Sequence, residues 1–376
     1  MEKYYEYNKD LYQIFIDFQQ AYDSIHRPSL WNILREFNIP EKLISLIKAC
    51  YVNSKCVVKV GGKETEEFDV LSGLRQGCIL SPVLFNLVME KIVRGSLNLP
   101  GARLSTGNIG ILAYADDVVM VAENMGEINN MFTPFQETAS RAGLICNESK
   151  TAVMKMSRRV NRGNVQAGNL NLQYTDKFKY LGAIVTEGNN METEISERIA
   201  AGNRCYHALS PIMRSRKVSR KTKLRTYNIV IRPTVLYACE TWTLTKARKN
   251  KLEVFENNIL RRILGPVFDR TTDEWRRRHN REIREQTGQL LLQCVARGRR
   301  ARWAGHCVRM DQTRFPRLAM EGRVQGTRPL GRPRYRWSDG VASDIAQINP
   351  DLDWKETAQD RRTWRGVAKA VMGLQS

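Results

Sequence analysis

The segment IGILAYADDVVMVA, residues 109–122, decides how the rest of the chain is read. Two apolar runs flank the adjacent carboxylates Asp116 and Asp117, a pattern that predicts a β-hairpin with its acids at the bend. Neighbouring carboxylates repel, and no basic residue stands close in sequence, so the pair must be solvated, partly protonated or held by a cation. A hard divalent metal would resolve the conflict. An Asp-Asp bend is also an ordinary turn sequence, so the choice between the two readings falls to the remainder of the chain.

The 376 residues suffice for two or three domains with a sizeable core. Sixty Lys and Arg face 39 Asp and Glu, a formal net charge of +21. That balance argues against an ordinary enzyme of small metabolites. It favours a polyanionic partner, nucleic acid ahead of an anionic membrane surface, over a merely solubilising basic surface. The eight Cys include no CxxC pair, which suits reduced thiols. His279, His306, Cys294 and Cys307 fit no regular zinc-finger spacing. No apolar run is long enough for a transmembrane helix, and MEKYYEYNKD lacks the core of a signal peptide. The expectation is an intracellular protein of the nucleus or cytoplasm, with no membrane contact and no obligate protein partner inferable from the sequence.

Working outward, residues 12–18 (YQIFIDF) read as a strand ending at Asp17, with Ser29 capping a helix through Phe37 and a second helix over 41–51. Residues 55–70 read as a hairpin through Gly61-Gly62. Arg75-Gln76-Gly77 lies in a Gly-bounded loop ahead of Ser81-Pro82, an N-cap and first-turn proline opening a helix to about Leu97. Such a loop suits contact with phosphates or bases, and equally an ordinary loop-helix junction. A helix over 127–142 and a strand over 150–156 follow, with a hairpin-like segment over 175–185. The fold class is α+β with a largely antiparallel sheet.

From Met191 the pattern turns helical. Helices are predicted over 194–213, over 219–231 with Pro233 as the stop, and from a Thr245 cap to Leu264, where Leu252, Phe255, Ile259 and Ile263 form a core stripe. Between Arg297 and Arg336, twelve Arg stand against Asp311 and Glu321, interleaved with aromatics. Arg299, Arg300, Arg302, Trp303, Arg332, Arg334 and Arg336 are candidate contacts to nucleic-acid backbone and bases, against a solvated basic linker. The chain thus divides into 1–188, a helical unit over 189–266, and a basic Arg/Trp-rich region over 267–376.

Three stretches now line up: FIDFQQAYDSI (15–25), LRQGCILSP (74–82) and LAYADDVV (112–119). Together they resemble the palm motifs of reverse transcriptases, with YADD similar to that family's Tyr-x-Asp-Asp box. NESKT around Lys150 resembles the lysine segment after the box, and FKYLG (178–182) resembles the primer-grip turn of non-LTR, LINE-type retrotransposon enzymes. The segments at 240–265, GHCVRM and DRRTWR resemble the region beyond the palm in the same elements.

The resemblance implies a polymerase palm, a helical thumb-like region, and an RNA-directed DNA polymerase adding dNTPs to a DNA primer on an RNA template. Two Mg²⁺ ions, or Mn²⁺, would assist the transfer. Asp17 and Asp116 would ligate them with the Phe18 carbonyl, and Asp117 would be the supporting acid, an inventory that suits Mg²⁺. Tyr22 would be the gate against a 2′-hydroxyl. Arg75, Gln76, Gly77 and Tyr114 would lie by the nucleotide, Lys150 would protonate pyrophosphate, and Tyr180, Leu181 and Gly182 would form the primer grip. Only sixteen residues precede Asp17, fewer than the family's fingers occupy, and no endonuclease domain is recognisable. The expectation is an N-terminally truncated chain. The rival readings are a catalytically defective nucleic-acid-binding relic and an intron-type maturase.

Overall fold

The computed structural model describes residues 1–96, 101–157, 163–330 and 335–373. Its centre is a six-stranded sheet. Strand β1 (Leu11–Ile16) is followed by helices α1 (Arg27–Glu36), α2 (Glu41–Ala49) and α3 (Ser81–Arg94). The hairpin strands β2 (Ile111–Tyr114) and β3 (Asp117–Ala122) come next, then α4 (Met125–Arg141), β4 (Ala152–Met156), β5 (Asn164–Ala167) and β6 (Leu170–Tyr174). The spatial order is β5-β6-β4-β1-β3-β2, antiparallel except between β4 and β6. This is the α+β, largely antiparallel architecture that the patterns predict.

β1 is central because its aliphatic and aromatic residues are buried on both faces. Ile14 and Ile16 join Val118, Met120 and Val153 beneath α1, α3 and α4. Leu11 and Phe15 point the other way, against Val119, Val121, Met154 and Met156. That second face is covered by Tyr4 and by the hairpin of β7 (Lys177–Tyr180) and β8 (Ala183–Thr186), with Val324 from far along the chain.

Some boundaries differ from the sequence expectation. α1 starts at Arg27, with Pro28 in its first turn where a missing N–H costs nothing. Ser29 is therefore inside the helix, and its hydroxyl donates to the Arg141 carbonyl at 2.8 Å. Ser81 is likewise the first residue of α3 rather than its cap, donating to the Arg75 carbonyl at 2.7 Å. α3 ends at Arg94, and Leu97 lies outside the described residues. The hairpin through Gly61-Gly62 is present as two two-residue ladders.

Beyond the β7–β8 hairpin come α5 (Met191–Ala208), α6 (Arg220–Thr226) and α7 (Lys246–Leu264). Pro233 does not stop the helical path. A wide π turn over Tyr227–Ile231 precedes it, and the proline falls in the first turn of the next segment, so its ring meets no regular helix behind it. Leu252, Phe255, Ile259 and Ile263 are buried as the stripe requires, whereas Ile212 is 41% exposed.

The basic region is folded throughout its described residues. It comprises the hairpin β9 (Val267–Asp269) and β10 (Glu274–Arg276), then α8 (Asn280–Thr287), α9 (Leu292–Arg309), α10 (Trp337–Ala346) and α11 (Arg361–Gly373). Ile283, Leu292 and Ala296 complete the core built by α5 and α7, while Ala301, Ala304 and Val308 pack with α10 and α11 around Trp364. Segments at 318–328 and 336–337 also return to the sheet. Lys3 donates to the carbonyls of Met320 and Gly322, Glu6 is clamped by Arg328 and Arg336, and Ser105 N–H donates to the Arg323 carbonyl.

Candidate active site

Asp17 is the first residue past β1. Its N–H donates to Thr151 Oγ1 at 3.2 Å and its carbonyl accepts from Asn147 N–H at 2.7 Å, which fixes the strand end. In the neighbouring hairpin Tyr114 pairs with Asp117, leaving Ala115 and Asp116 as a two-residue turn with Ala115 at φ +52°. An alanine held there is strained relative to glycine. The β1–β3 register ends with Ile16 opposite Val118, so the next step brings Asp17 opposite Asp117. Strand alternation puts both acids on the face of Phe15 and Val119, toward Tyr180.

The electrostatics agree with that placement. The Asp117 carboxyl is pushed above the usual range by partial burial, then by the charges of Asp116 and Asp17. The Tyr180 hydroxyl is pushed up by burial and then by Asp117. Asp17 Oδ2 is buried and accepts no hydrogen bond, and Lys150 Nζ stands 3.8 Å from it. An orphaned carboxylate oxygen among mutually repelling acids fits a hard cation in donor type and charge. Among the described residues, however, no three His, Cys, Asp or Glu converge tightly enough to hold a metal as they stand. The Phe18 ring is buried in the core, and the local bridge to residues 145–147 uses Gln19 N–H and the Asp17 carbonyl, leaving the Phe18 carbonyl outside it.

Tyr22 stacks on Phe85, centroids 4.4 Å apart and planes 12° from parallel, and its hydroxyl is pushed up by burial and then by Asp116. The Arg75 loop is laid against it. Leu74 N–H donates to the Tyr22 carbonyl and Gly73 N–H to that of Ile25, both at 2.8 Å. Gly73 sits at φ +77°, and a Cβ there would lie 2.6 Å from the Asp23 carbonyl oxygen, so glycine is required. Buried Arg27 secures the loop through the Gly73 and Val70 carbonyls.

Gln76 and Arg75 are both engaged by their own chain. Gln76 Nε2 donates to Asp23 Oδ1 at 3.2 Å, and Arg75 Nη2 donates to Ser54 Oγ at 3.1 Å above the Tyr51 ring. Gly77, at φ +85°, has open space around it, and Tyr114 is 69% exposed at the hairpin end. Asp23 and Arg27 carry no sequence signal that separates them from ordinary turn and helix residues.

Tyr180 closes the β7–β8 hairpin, with Leu181 and Gly182 as its left-handed turn at φ +46° and +80°. Phe178 stacks on Phe15 at 4.2 Å, placing the turn above the acids' strand. The helical region holds it from behind. Tyr237 donates to the Leu181 carbonyl at 2.8 Å, Arg198 donates to that of Gly182, and Glu194 accepts from Ile184 N–H and from Arg198, each at 2.6 Å.

The tail candidates divide. Arg300 is 2% exposed and shares Asp344 with Arg297, so it cannot meet a nucleic acid; this corrects the sequence expectation. Arginine reads as a surface residue in sequence, and only the fold reveals its buried counter-ion. Arg299 is half-buried and donates to the Leu236 carbonyl, and Arg336 is spent on Glu6. Arg302 is exposed, with half-buried Trp303 beside it. Arg332 and Arg334 lie outside the described residues.

Residues 2–185 match the family described as reverse transcriptase (RNA-dependent DNA polymerase). A transposon-derived protein of Caenorhabditis elegans is 26% identical over 276 residues, 71% of this chain and 98% of that protein. The RNA-directed DNA polymerase from mobile element jockey of Drosophila funebris is 25% identical over 69% of this chain and 29% of its own length. A Pol polyprotein from the retrotransposable element R2DM of Drosophila melanogaster is 27% identical over 49% of this chain and 18% of its own length. The chain therefore spans less than a third of these last two relatives. Among solved structures, apo telomerase from Candida tropicalis aligns with 68% of this chain and 42% of its own, at 13% identity and a TM-score of 0.39. No helix among the described residues is long and apolar enough to cross a membrane.

Proposed function

Residues 2–185 belong to the reverse transcriptase family, with relatives among the RNA-directed DNA polymerases of non-LTR retrotransposons, and from that premise we propose that this chain extends a DNA primer on an RNA template with dNTPs. The observation that carries the reading is the approach of Asp17 to the Asp116-Asp117 turn on adjacent strands, with Asp17 Oδ2 unsatisfied. Asp17, Asp116 and the Phe18 carbonyl would hold two Mg²⁺ or Mn²⁺ ions, with Asp117 supporting them. Bound there, such ions supply Lewis-acid stabilisation of the phosphoryl centre and of both flanking oxygens.

The chain's own groups do the rest. Tyr22, braced on Phe85, presents its ring where a 2′-hydroxyl would sit. Lys150 is the proton donor to pyrophosphate. Gln76 and Arg75 exchange their internal partners for nucleotide and template, and the Tyr180-Leu181-Gly182 turn supports the primer end. All eight cysteines are free thiols, which suits the reducing interior of a cell, nucleus or cytoplasm. In a primer-extension assay on RNA with Mg²⁺, incorporation should exceed that of Asp116→Asn by about 10³-fold or more; equal incorporation by the two proteins refutes the reading.

A second reading, a nucleic-acid-binding relic without polymerase activity, is favoured by one observation: no three acids converge tightly enough to hold a metal among the described residues. Retention of primed RNA with no incorporation in the same assay selects it.

A further inference from the structure

Among the described residues, arginines commonly meet a carboxylate or a carbonyl. Arg276 is bound by both Asp269 and Glu282 and is pushed up by them, and Arg284 reaches buried Glu256. One cleft, which Arg276 itself borders, departs from this at its other arginines. It is a cavity of about 920 Å³ between the end of α7, the β9–β10 hairpin and the short helix Ser210–Arg214 after α5, and its lining has no Asp or Glu among the described residues.

Arg214, Lys223, Arg261, Arg262, Arg277 and Arg278 line it, beside the paired Arg276. Arg276 apart, none of its arginines forms an ion pair within 4.0 Å among the described residues. Arg261 is held by the Arg278 carbonyl and Asn280, Arg277 by Asn258, and Arg278 by the carbonyls of Gly265 and Pro266, while Arg262 lies over the Tyr206 ring at 5.3 Å. The Arg261 guanidinium is pulled below its ordinary value by burial first and then by the like charges of Arg277 and Arg284. The cost of gathering these charges is recovered when a polyanion enters.

A second feature narrows the polyanion. Trp275, 69% exposed, lines the same cleft and meets Phe268, itself 41% exposed, in an edge contact at 5.5 Å. A large aromatic pair left in water beside unpaired guanidinium groups matches the two needs of an unpaired strand, whose phosphates want charge and whose bases want a flat partner. A duplex keeps its bases stacked and has no use for that ring.

We propose that this cleft is a binding site for single-stranded nucleic acid, separate from the palm, in which Arg214, Arg262 and Arg277 take backbone phosphates and Trp275 stacks a base. No residue of the palm lines the cleft. The site therefore goes beyond the polymerase reading and does not depend on it.

The test uses the full chain with fluorescein-labelled oligo(rU), and oligo(dT) of equal length, in binding titrations over a salt series. Trp275→Ala should weaken binding of both by about ten-fold. Arg214→Gln/Arg277→Gln should reduce the salt slope by about 1.4, roughly 0.7 for each phosphate no longer neutralised. The control Arg204→Gln/Arg281→Gln removes the same charge from exposed residues that pair with Glu197 and Glu285, and circular dichroism checks that each variant is folded. Wild-type affinity and slope in both cleft variants, or losses no larger than in the control, overturn the proposal. So does weakening seen only with duplex RNA. Primer extension by the same variants reports on the palm independently, so failure of one reading leaves the other standing.

Discussion

Lys150 Nζ stands 3.8 Å from Oδ2 of Asp17, beyond hydrogen-bond reach, and that oxygen has no hydrogen-bond donor. The lysine thus occupies, weakly, the electrostatic place that a divalent cation beside Asp17 would take. Lys150 is exposed and Asp17 only half-buried, so the pair itself adds little to stability. Its effect falls on metal binding and chemistry in opposite directions. Lys150→Gln should lower the Mn²⁺ concentration for half-saturation several-fold, read by electron paramagnetic resonance, while reducing incorporation by about 10²-fold through loss of a proton donor.

Asp117 gives a pH dependence with a definite sign. Its carboxyl is raised by burial first and by Asp116 and Asp17 next, so the folded chain keeps a proton that the unfolded chain has released. Without metal, stability should fall as pH rises from the ordinary carboxylate range through the raised value. Asp117→Asn should flatten that slope, measured as urea midpoints over a pH series, and saturating Mg²⁺ should flatten it in the unaltered protein.

Tyr22 is braced by Phe85, so its ring position depends on a stack worth about 0.5–1.5 kcal/mol. Tyr22→Ala should admit ribonucleotides, reducing dNTP-over-rNTP discrimination by about 10–200-fold in kcat/KM ratios. Tyr22→Phe keeps the ring and should retain the discrimination. Equal selectivity in all three proteins would remove the gate from Tyr22.

Asp344 is buried between Arg297 and Arg300, and the Trp242 and Gly340 carbonyls complete the shell. Asp344→Ala leaves two guanidinium groups buried without a counter-charge and should cost about 3–5 kcal/mol in chemical denaturation. Arg302→Gln, at an exposed site, should stay within about 0.5 kcal/mol of the unaltered protein.

The parts of this fold that read directly from sequence are those with a clean period. Alternation around Asp116-Asp117 places a hairpin, the run into Asp17 places the strand beside it, and the Leu252 to Ile263 spacing places the helical core. The β5–β6 ladder is different. Its sequence, NVQAGNLNLQY, is rich in Asn, Gln and Gly, and of its residues only Ala167 and Leu172 are buried, so propensity gives no signal and pairing with β4 supplies the order. Pro233 misleads for a complementary reason, because a π turn ahead of it removes the clash on which a proline stop depends. Within the candidate site, strand ends announce the acids. The Gln76–Asp23 bond and the support of Leu181 by Tyr237 join residues more than fifty positions apart, and no local pattern encodes such pairs.

The contacts of Lys3 and Glu6 with Met320, Gly322, Arg328 and Arg336 alter the kinematics of the molecule. The sheet and the helical region are joined covalently where β8 runs into α5, and Tyr237, Arg198 and Glu194 grip the hairpin beside that joint. The Lys3 and Glu6 contacts add a further tether on the face that this hairpin also covers, made by a segment far along the chain. Relative motion between the sheet and the helices that hold its Leu181 turn must therefore strain two sets of contacts at once, and severing the Glu6 clamp would weaken the second.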